Sequence, residues 1–328
     1  MFRIILALVL VISFKTLSVA PSHADTDFDV WLDDLRRDAM ADGISAETLD
    51  AALTDVALIE RVIELDRNQP EFTLTFAQYL DRVVPVSRQN RANAKLAEHR
   101  SLLDKIGNAY GVQPRFIVAL WGIETDFGRV QGGFKVIPAL VTLAYDGRRS
   151  KFFRKELMDA LHIIEDGHIT AKNMNGSWAG AMGQSQFMPS SFRQYAEDYN
   201  NDGKRDIWNT QSDVFASAAN YLSSVGWQDD MTWGRQVKLP SKGLASPAKA
   251  MALHDNKTKK TLPEWAELGI TSADGSALPT RPLKARLILP DGADGPAYLA
   301  YANYEAILRW NRSNYFAIAV GTLADSMR

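Results

Sequence analysis

The sequence predicts a mainly α-helical (α+β) protein, with helical regions on either side of a small β-rich insertion. Three observations lead there. Apolar residues recur at three- and four-residue spacing through most of residues 28–228 and again after 301. Glycine and proline punctuate those runs where helices should stop. Only residues 229–300 change texture, holding most prolines of the second half and the strand–turn–strand pattern "KARLILPDGADGPAYLAY". With 328 residues and no internal repeat, the chain is long enough to bury a substantial core.

The first residues read as an export signal. "MFR" is a short basic start, "IILALVLVISF" (4–14) has the length of an apolar h-region, and "SHA" before Asp25 offers a small-x-small cleavage site, so residues 1–24 are expected to be removed after Ala24. The alternative is an uncleaved anchor, but the run is short for a bilayer and no later stretch approaches the required length. There is no cysteine, which excludes a lipidated amino terminus and means that no disulfide staples the fold in an oxidising compartment. Losing Arg3 and Lys15 with the signal leaves 35 basic against 39 acidic residues, about −4. A nucleic-acid binder would show a basic stripe; none is present, and no transmembrane segment is expected in the mature chain.

Residues 25–110 form an N-terminal helical region. In "FDVWLDDLRRDAMADG", Phe28, Trp31, Leu32 and Leu35 share one face, and Gly43 ends the run. "SAETLDAAL" opens on Ser45 as an imperfect capping box, with Glu47 in the first turn. Pro70 interrupts; a helical run with Phe72, Phe76, Tyr79 and Leu80 follows, then "NAKLAEHRSLLDKIGNAYG" as one amphipathic helix stopped by Gly111. Residues 111–228 form the central region. Pro114 opens a helix over 114–127, since its missing N–H would have had no helical partner. A Gly-rich loop, the helix "SKFFRKELMDALHII" and the segment "GSWAGAMGQSQFMPSSF" come next. Residues 229–300 should have a thin core of their own, and residues 301–328 return to helix against the main body.

One residue in the central region is out of place. Phe116, Leu120, Ile123 and Phe127 line one stripe of the helix, and Glu124 lies only about 60° from its centre. At the edge of a buried face a carboxyl is partly desolvated, which raises its pKa and suits a general acid. Asp126 lies about 160° round the helix, too far to make a catalytic pair. The plain alternative is a surface ion pair of Glu124 with Arg129 or Arg115.

A second segment has the donor pattern of a metal-binding loop. In "DYNNDGKRDIW", Asp198, Asn200, Asp202 and Gly203 match the first half of an EF-hand loop, with the Lys204 carbonyl at position seven and Asp206 at position nine. Position twelve is Asn209 rather than a bidentate glutamate. The alternative is an Asn/Asp/Gly-rich turn that joins two helices without metal. The histidines show no metal-ligand spacing.

Taken together, "GIETDFGR" (122–129), "FFRKELMDAL" (152–161), "GSWAGAMGQSQFMPSSF" (176–192), "DYNNDGKRDIW" (198–208), "ANYL" (219–222) and "WNRSNYFAIAV" (310–320), with "QPEF" at 69–72 and "YL" at 79–80, resemble the membrane-bound lytic murein transglycosylase B family, glycoside hydrolase family 103. The motifs run in order over nearly all of the mature chain. The resemblance implies a lysozyme-like helical catalytic core and a periplasmic enzyme acting on peptidoglycan glycan strands, at the β-1,4 bond between N-acetylmuramic acid and N-acetylglucosamine. It places the single catalytic residue at Glu124, acid first and then base, with the muramic O6 hydroxyl closing a 1,6-anhydro ring and no cofactor needed. It places Ser177, Gln186, Phe187, Tyr221, Asn311 and Tyr79 at the substrate, and fits an aromatic residue at Trp310. It closes the loop at Asp213 after Asp198, Asn200, Asp202 and Lys204, around a structural calcium or sodium ion. Two other readings stay open: a hydrolytic muramidase, and a non-catalytic peptidoglycan-binding protein.

Overall fold

The computed structural model describes residues 23–68, 74–240, 247–254 and 258–327. The expected signal peptide, apart from its last two residues, and the "QPEF" motif with Phe72 lie outside the described residues. The chain divides into two compact units after Gly43. In the first, helix α1 (His23–Ala41) is the described element, and Phe28 stacks on Trp31 at 6.1 Å.

The second unit begins with α2 (Ala46–Leu53), α3 (Glu60–Arg67), α4 (Phe76–Val83), α5 (Val86–Glu98), α6 (Arg100–Tyr110) and α7 (Pro114–Thr125). Ser45 caps α2 as expected, but the reciprocal half of the box comes from Glu165, which accepts the Ser45 N–H at 3.1 Å from 120 residues away. Thr75 and Gln78 make a full capping box on α4. The single helix expected over 93–111 is two, broken at His99. The break turns the His99 ring edge-on to Trp121 and Phe215, at 5.7 and 5.3 Å, so tertiary packing overrides a continuous helical pattern.

The chain then runs through β1 (Phe134–Lys135), α8 (Val136–Tyr145), α9 (Ser150–Glu165), β2 (Asn175–Gly176), α10 (Pro189–Tyr195) and α11 (Gln211–Ser224). Strands β1 and β2 pair antiparallel, Phe134 opposite Gly176. Gly132 is what lets that hairpin close on the Gly-rich segment: a Cβ there would sit 2.0 Å from the Gly176 carbonyl oxygen.

The β-rich part holds β3 (Gly234–Lys238), α12 (Pro247–Leu253), β4 (Lys260–Thr261), α13 (Leu262–Glu267), β5 (Thr271–Ser272), β6 (Lys284–Ile288) and β7 (Ala297–Ala300). Its strands form one antiparallel sheet in the order β4-β6-β7-β3-β5. Its core is fuller than the sequence suggests. Leu262 and the fully buried Trp265 of α13 pack with Leu287, Leu299 and Tyr301, and the indole N–H donates to the Ala285 carbonyl at 3.0 Å. The turn between β6 and β7 spans 289–296.

Helices α14 (Ala302–Trp310) and α15 (Asn314–Asp325) close the fold, α15 packing on α7. Helix α7 is the centre of the main core, with α5, α6, α11 and α15 around it. The fold is therefore mainly helical with a small sheet, as the sequence indicates. Among the described residues no helix is long and apolar enough to cross a membrane.

Candidate active site

Glu124 is the penultimate residue of α7. In place of the single buried stripe expected, every residue from Phe116 to Gly122 is buried, and α7 has no solvent face in its middle. The helix also stops earlier than expected, at Thr125. Asp126, Phe127 and Gly128 take positive φ values of 51°, 63° and 78°. For a bulky side chain such as Phe127 that conformation costs roughly 1–3 kcal/mol. It is held by packing: the Phe127 ring lies edge-on to Trp121 at 5.4 Å and fills the space that a Cβ on Gly122 would need. The reversal ends the helix beside Glu124 and leaves the carboxyl at a cleft.

The Trp310 indole N–H donates to Glu124 Oε1 at 2.7 Å. Burial pushes the Glu124 carboxyl up to about 7, against the opposing effect of that hydrogen bond. Neither basic partner considered from sequence pairs with it: Arg115 bonds Asp325 at 3.0 Å and Arg129 bonds Asp126 at 2.9 Å. Burial also works against the charge of Asp126, but hydrogen bonds from Arg91 and Arg88 outweigh it and hold that carboxyl below its ordinary range. Two carboxyls two residues apart are thus driven in opposite directions, one toward the neutral acid and one toward a fixed anion.

The cleft is about 580 Å³ and is lined by Glu124, Ile123, Tyr79, Asn311, Ser313, Tyr315 and Phe316, with Arg82 and Arg88. Among the described lining residues Glu124 is the sole carboxylate. Of the residues expected at substrate, Tyr79 and Asn311 share this cleft with it. Asn311 caps α14, and its Oδ1 accepts the Ser313 N–H at 3.1 Å.

Phe187 and Tyr221 stand one layer back. Phe187 is 2% exposed, so its ring does not present a sugar platform; it packs on Trp310 at 5.1 Å and on Tyr221 at 5.7 Å. The Tyr221 ring is edge-on to Trp310 at 4.8 Å, and its hydroxyl donates to the Arg309 carbonyl at 2.7 Å. Both therefore set the orientation of the indole that holds Glu124. Burial pushes the Tyr221 phenol up to about 12, so it stays a neutral donor.

Ser177 and Gln186 lie in the Gly-rich segment and are not among the described lining residues of this cleft. The Ser177 hydroxyl accepts N–H bonds from Ala179 and Ala181, at 3.3 and 3.0 Å, and Gln186 donates to the carbonyls of Gln131 and Gly183. The segment is tied to α7 by buried Gln184, whose Oε1 accepts the Trp121 indole N–H at 2.7 Å and whose carbonyl accepts the Thr125 hydroxyl.

The 198–213 loop is held by hydrogen bonds between its own side chains and backbone. The carboxylate of Asp198 accepts the N–H groups of Asp202 and Gly203, Asn200 Oδ1 accepts that of Asp202 at 3.2 Å, and Asp202 Oδ1 accepts that of Lys204. Asp213 is fully buried and accepts the N–H groups of Tyr199 and Asp206, at 3.1 and 3.0 Å. Burial raises the Asp213 carboxyl, and the neighbouring charge is that of Asp198, another anion. A hard cation would neutralise such a set, and the oxygen donors suit calcium or sodium. The side chains are turned onto loop N–H groups, and among the described residues no three of His, Asp or Glu converge as a metal site.

Sequence reasoning missed the Trp310–Glu124 bond, the place of Tyr315 in the cleft, and the basic side chains Arg82 and Arg88. The only local signal was the three aromatic residues in "WNRSNYF"; the bond itself joins residues 186 apart.

Residues 27–325 match the family model described as the transglycosylase SLT domain, SLT_2. The chain is 30% identical over 300 residues to the membrane-bound lytic murein transglycosylase B of Escherichia coli (strain K12), covering 87% of this chain and 79% of that protein. Among solved structures, SltB3 from Pseudomonas aeruginosa in complex with NAG-anhNAM-pentapeptide matches with a TM-score of 0.86 at 42% identity, over 91% of this chain and 79% of that one. The Escherichia coli lytic transglycosylase SLT35 in complex with calcium matches with a TM-score of 0.75 at 28% identity, over 92% of each chain. The helical core is thus of the lysozyme-like kind. A central helix that delivers one half-buried carboxyl to a cleft, on a fold matched along nearly its full length, shows that the chain belongs to the SLT_2 transglycosylase family, as a lytic murein transglycosylase.

Proposed function

We propose that Glu124 performs the whole acid–base cycle of a non-hydrolytic cleavage of the MurNAc-β-1,4-GlcNAc bond in peptidoglycan. The observation that carries this is a cleft in which Glu124 is the sole carboxylate among the described lining residues, with its pKa raised by burial to about 7. Hydrolytic glycosidases ordinarily need two carboxyl groups, one to donate a proton and one to attack or to activate water. Here the nucleophile is the substrate's own O6 hydroxyl, whose intramolecular position gives it a large effective concentration.

The Trp310 N–H can only donate, so Oε1 must accept. The proton of the neutral acid therefore sits on Oε2. Oε2 gives it to the glycosidic oxygen as the C1–O bond breaks; the carboxylate then takes the O6 proton as O6 bonds to C1. No water is consumed, and the acid is regenerated protonated. Tyr79 and Asn311 would hold the glycan, with Ser177, Gln186, Phe187 and Tyr221 shaping or supporting the wall. The bound NAG-anhNAM-pentapeptide of SltB3 supports this substrate class.

Peptidoglycan as substrate and the amino-terminal signal together support a periplasmic protein cleaved after Ala24, with mature regions at 25–110, 111–228, 229–300 and 301–328. Calcium, or sodium, would be held by Asp198, Asn200, Asp202, the Lys204 carbonyl and Asp213 as a structural ion; the calcium complex of SLT35 supports the choice.

The test is digestion of purified sacculi by the mature protein and by Glu124→Gln, with mass spectrometry of released muropeptides. The expected products are lighter by one water than reducing muropeptides and absent with the variant. Reducing ends would make the enzyme a hydrolase, and no products from either protein would leave a binding role.

A further inference from the structure

The turn between β6 and β7 reaches beyond its sheet. Both carboxylate oxygens of Asp291 accept the Phe76 backbone N–H at 3.0 Å, and Oδ1 also accepts the Tyr315 hydroxyl at 2.7 Å. Phe76 opens the first turn of α4, where unpaired N–H groups and the helix dipole favour a carboxylate. The Phe76 ring lies between the two sides, edge-on to Tyr298 of β7 at 6.0 Å and to Tyr315 at 5.2 Å. Tyr315 leans on Tyr79 at 5.5 Å, and both line the cleft with Glu124. One side chain from the insertion thus fixes the start of the helix that carries Tyr79 and the hydroxyl of the ring beside it.

We propose that Asp291 is a positioning residue for substrate, and that the β6–β7 turn acts as a strut holding the Tyr79–Tyr315 pair as an aromatic shelf for a pyranose face. The proposal rests on the reading of the cleft as a glycan site. A sugar presents apolar C–H faces, and two tilted tyrosine rings offer a matching surface only while their mutual angle is held. The two partners of Asp291 belong to the elements that bring Tyr79 and Tyr315 to the cleft, so the consequence of losing its bonds falls there.

The test compares wild type with Asp291→Ala and Asp291→Asn, using soluble uncrosslinked glycan strands for turnover and tetra-N-acetylchitotetraose for binding. Asp291→Ala should raise KM and the chitotetraose Kd about three- to tenfold, the size of one or two hydrogen bonds, with kcat within about twofold. Asp291→Asn keeps an acceptor oxygen and should recover part of the loss. Unchanged KM and Kd in a folded Asp291→Ala would overturn the strut, as would a loss of kcat that follows a lowered melting temperature with KM constant. If Asp291→Ala does not fold, Tyr315→Phe removes only the hydroxyl: a raised Kd supports the proposal and an unchanged one overturns it. Wild-type protein that binds chitotetraose but yields no anhydro products would refute the proposed reaction, while the ratio of Kd values still judges the strut.

Discussion

Burying Glu124 sets a cost that depends on pH. Its carboxyl moves from an ordinary 4.5 to about 7 in the fold, so the folded protein holds a proton that the unfolded chain has released. The cost is absent below the ordinary value, grows through the interval and is complete above about 7, on the order of 3 kcal/mol. Glu124→Gln removes the charge and keeps the shape. It should melt above wild type near pH 8 and with wild type near pH 4, by calorimetry; coincident melting at both would mean that the carboxyl is well solvated. Trp310→Phe keeps an aromatic ring beside Phe187 and Tyr221 but loses the donor and one of the two fused rings. Losing a bond to the charged form raises Glu124 further, so the fall of activity with rising pH should move to higher pH. Turnover should drop about tenfold, because the oxygen carrying the proton is no longer fixed. A pH–rate profile that stays in place would show that the indole does not act on the carboxyl.

At the scale of elements, the loop between α10 and α11 hangs on Asp213. Its carboxylate closes a 15-residue connection by accepting two backbone N–H groups from inside a buried site. Asp213→Ala leaves both donors unsatisfied and should cost about 2–4 kcal/mol, read as a lowered urea midpoint. Calcium should raise the melting temperature of wild type and not of this variant; at a hundredfold excess over Kd the gain is about 2.7 kcal/mol. A calcium response that survives in Asp213→Ala would remove Asp213 from the ligand set. The ends of the elements show how local and tertiary signals divide. Thr75 and Gln78 cap α4 by neighbours in sequence, whereas the box on α2 needs Glu165 and the break at His99 needs Trp121 and Phe215.

At the scale of the whole molecule, α7, α15 and the sheet meet at Gly321. A Cβ there would lie 2.2 Å from the Trp233 indole, which precedes β3, and that indole donates to Asp325 at 2.9 Å. Arg115 of α7 bonds the same Asp325. The ring is 2% exposed and has nowhere to go. Gly321→Ala should therefore destabilise by about 1–3 kcal/mol through overpacking, seen as a lower thermal midpoint with the raised carboxyl of Glu124 unchanged. A neutral effect would mean that helix and sheet can part there without cost.

The sequence by itself determined the helical class, the place of the small sheet and Glu124 as an anomaly. These are local signals: periodicity, caps and glycine spacing within some fifteen residues. The tertiary structure alone decided what surrounds the anomaly. It set α7 in the centre of the core rather than at its edge, ended it on a strained Phe127, and turned Phe187 and Tyr221 into the backing of Trp310. It also brought Trp310 to Glu124 and Asp291 to α4. Those pairs are 186 and 215 residues apart. Periodicity reports which face of an element is buried; it carries no information about which distant side chain meets that face, because that depends on how whole elements pack.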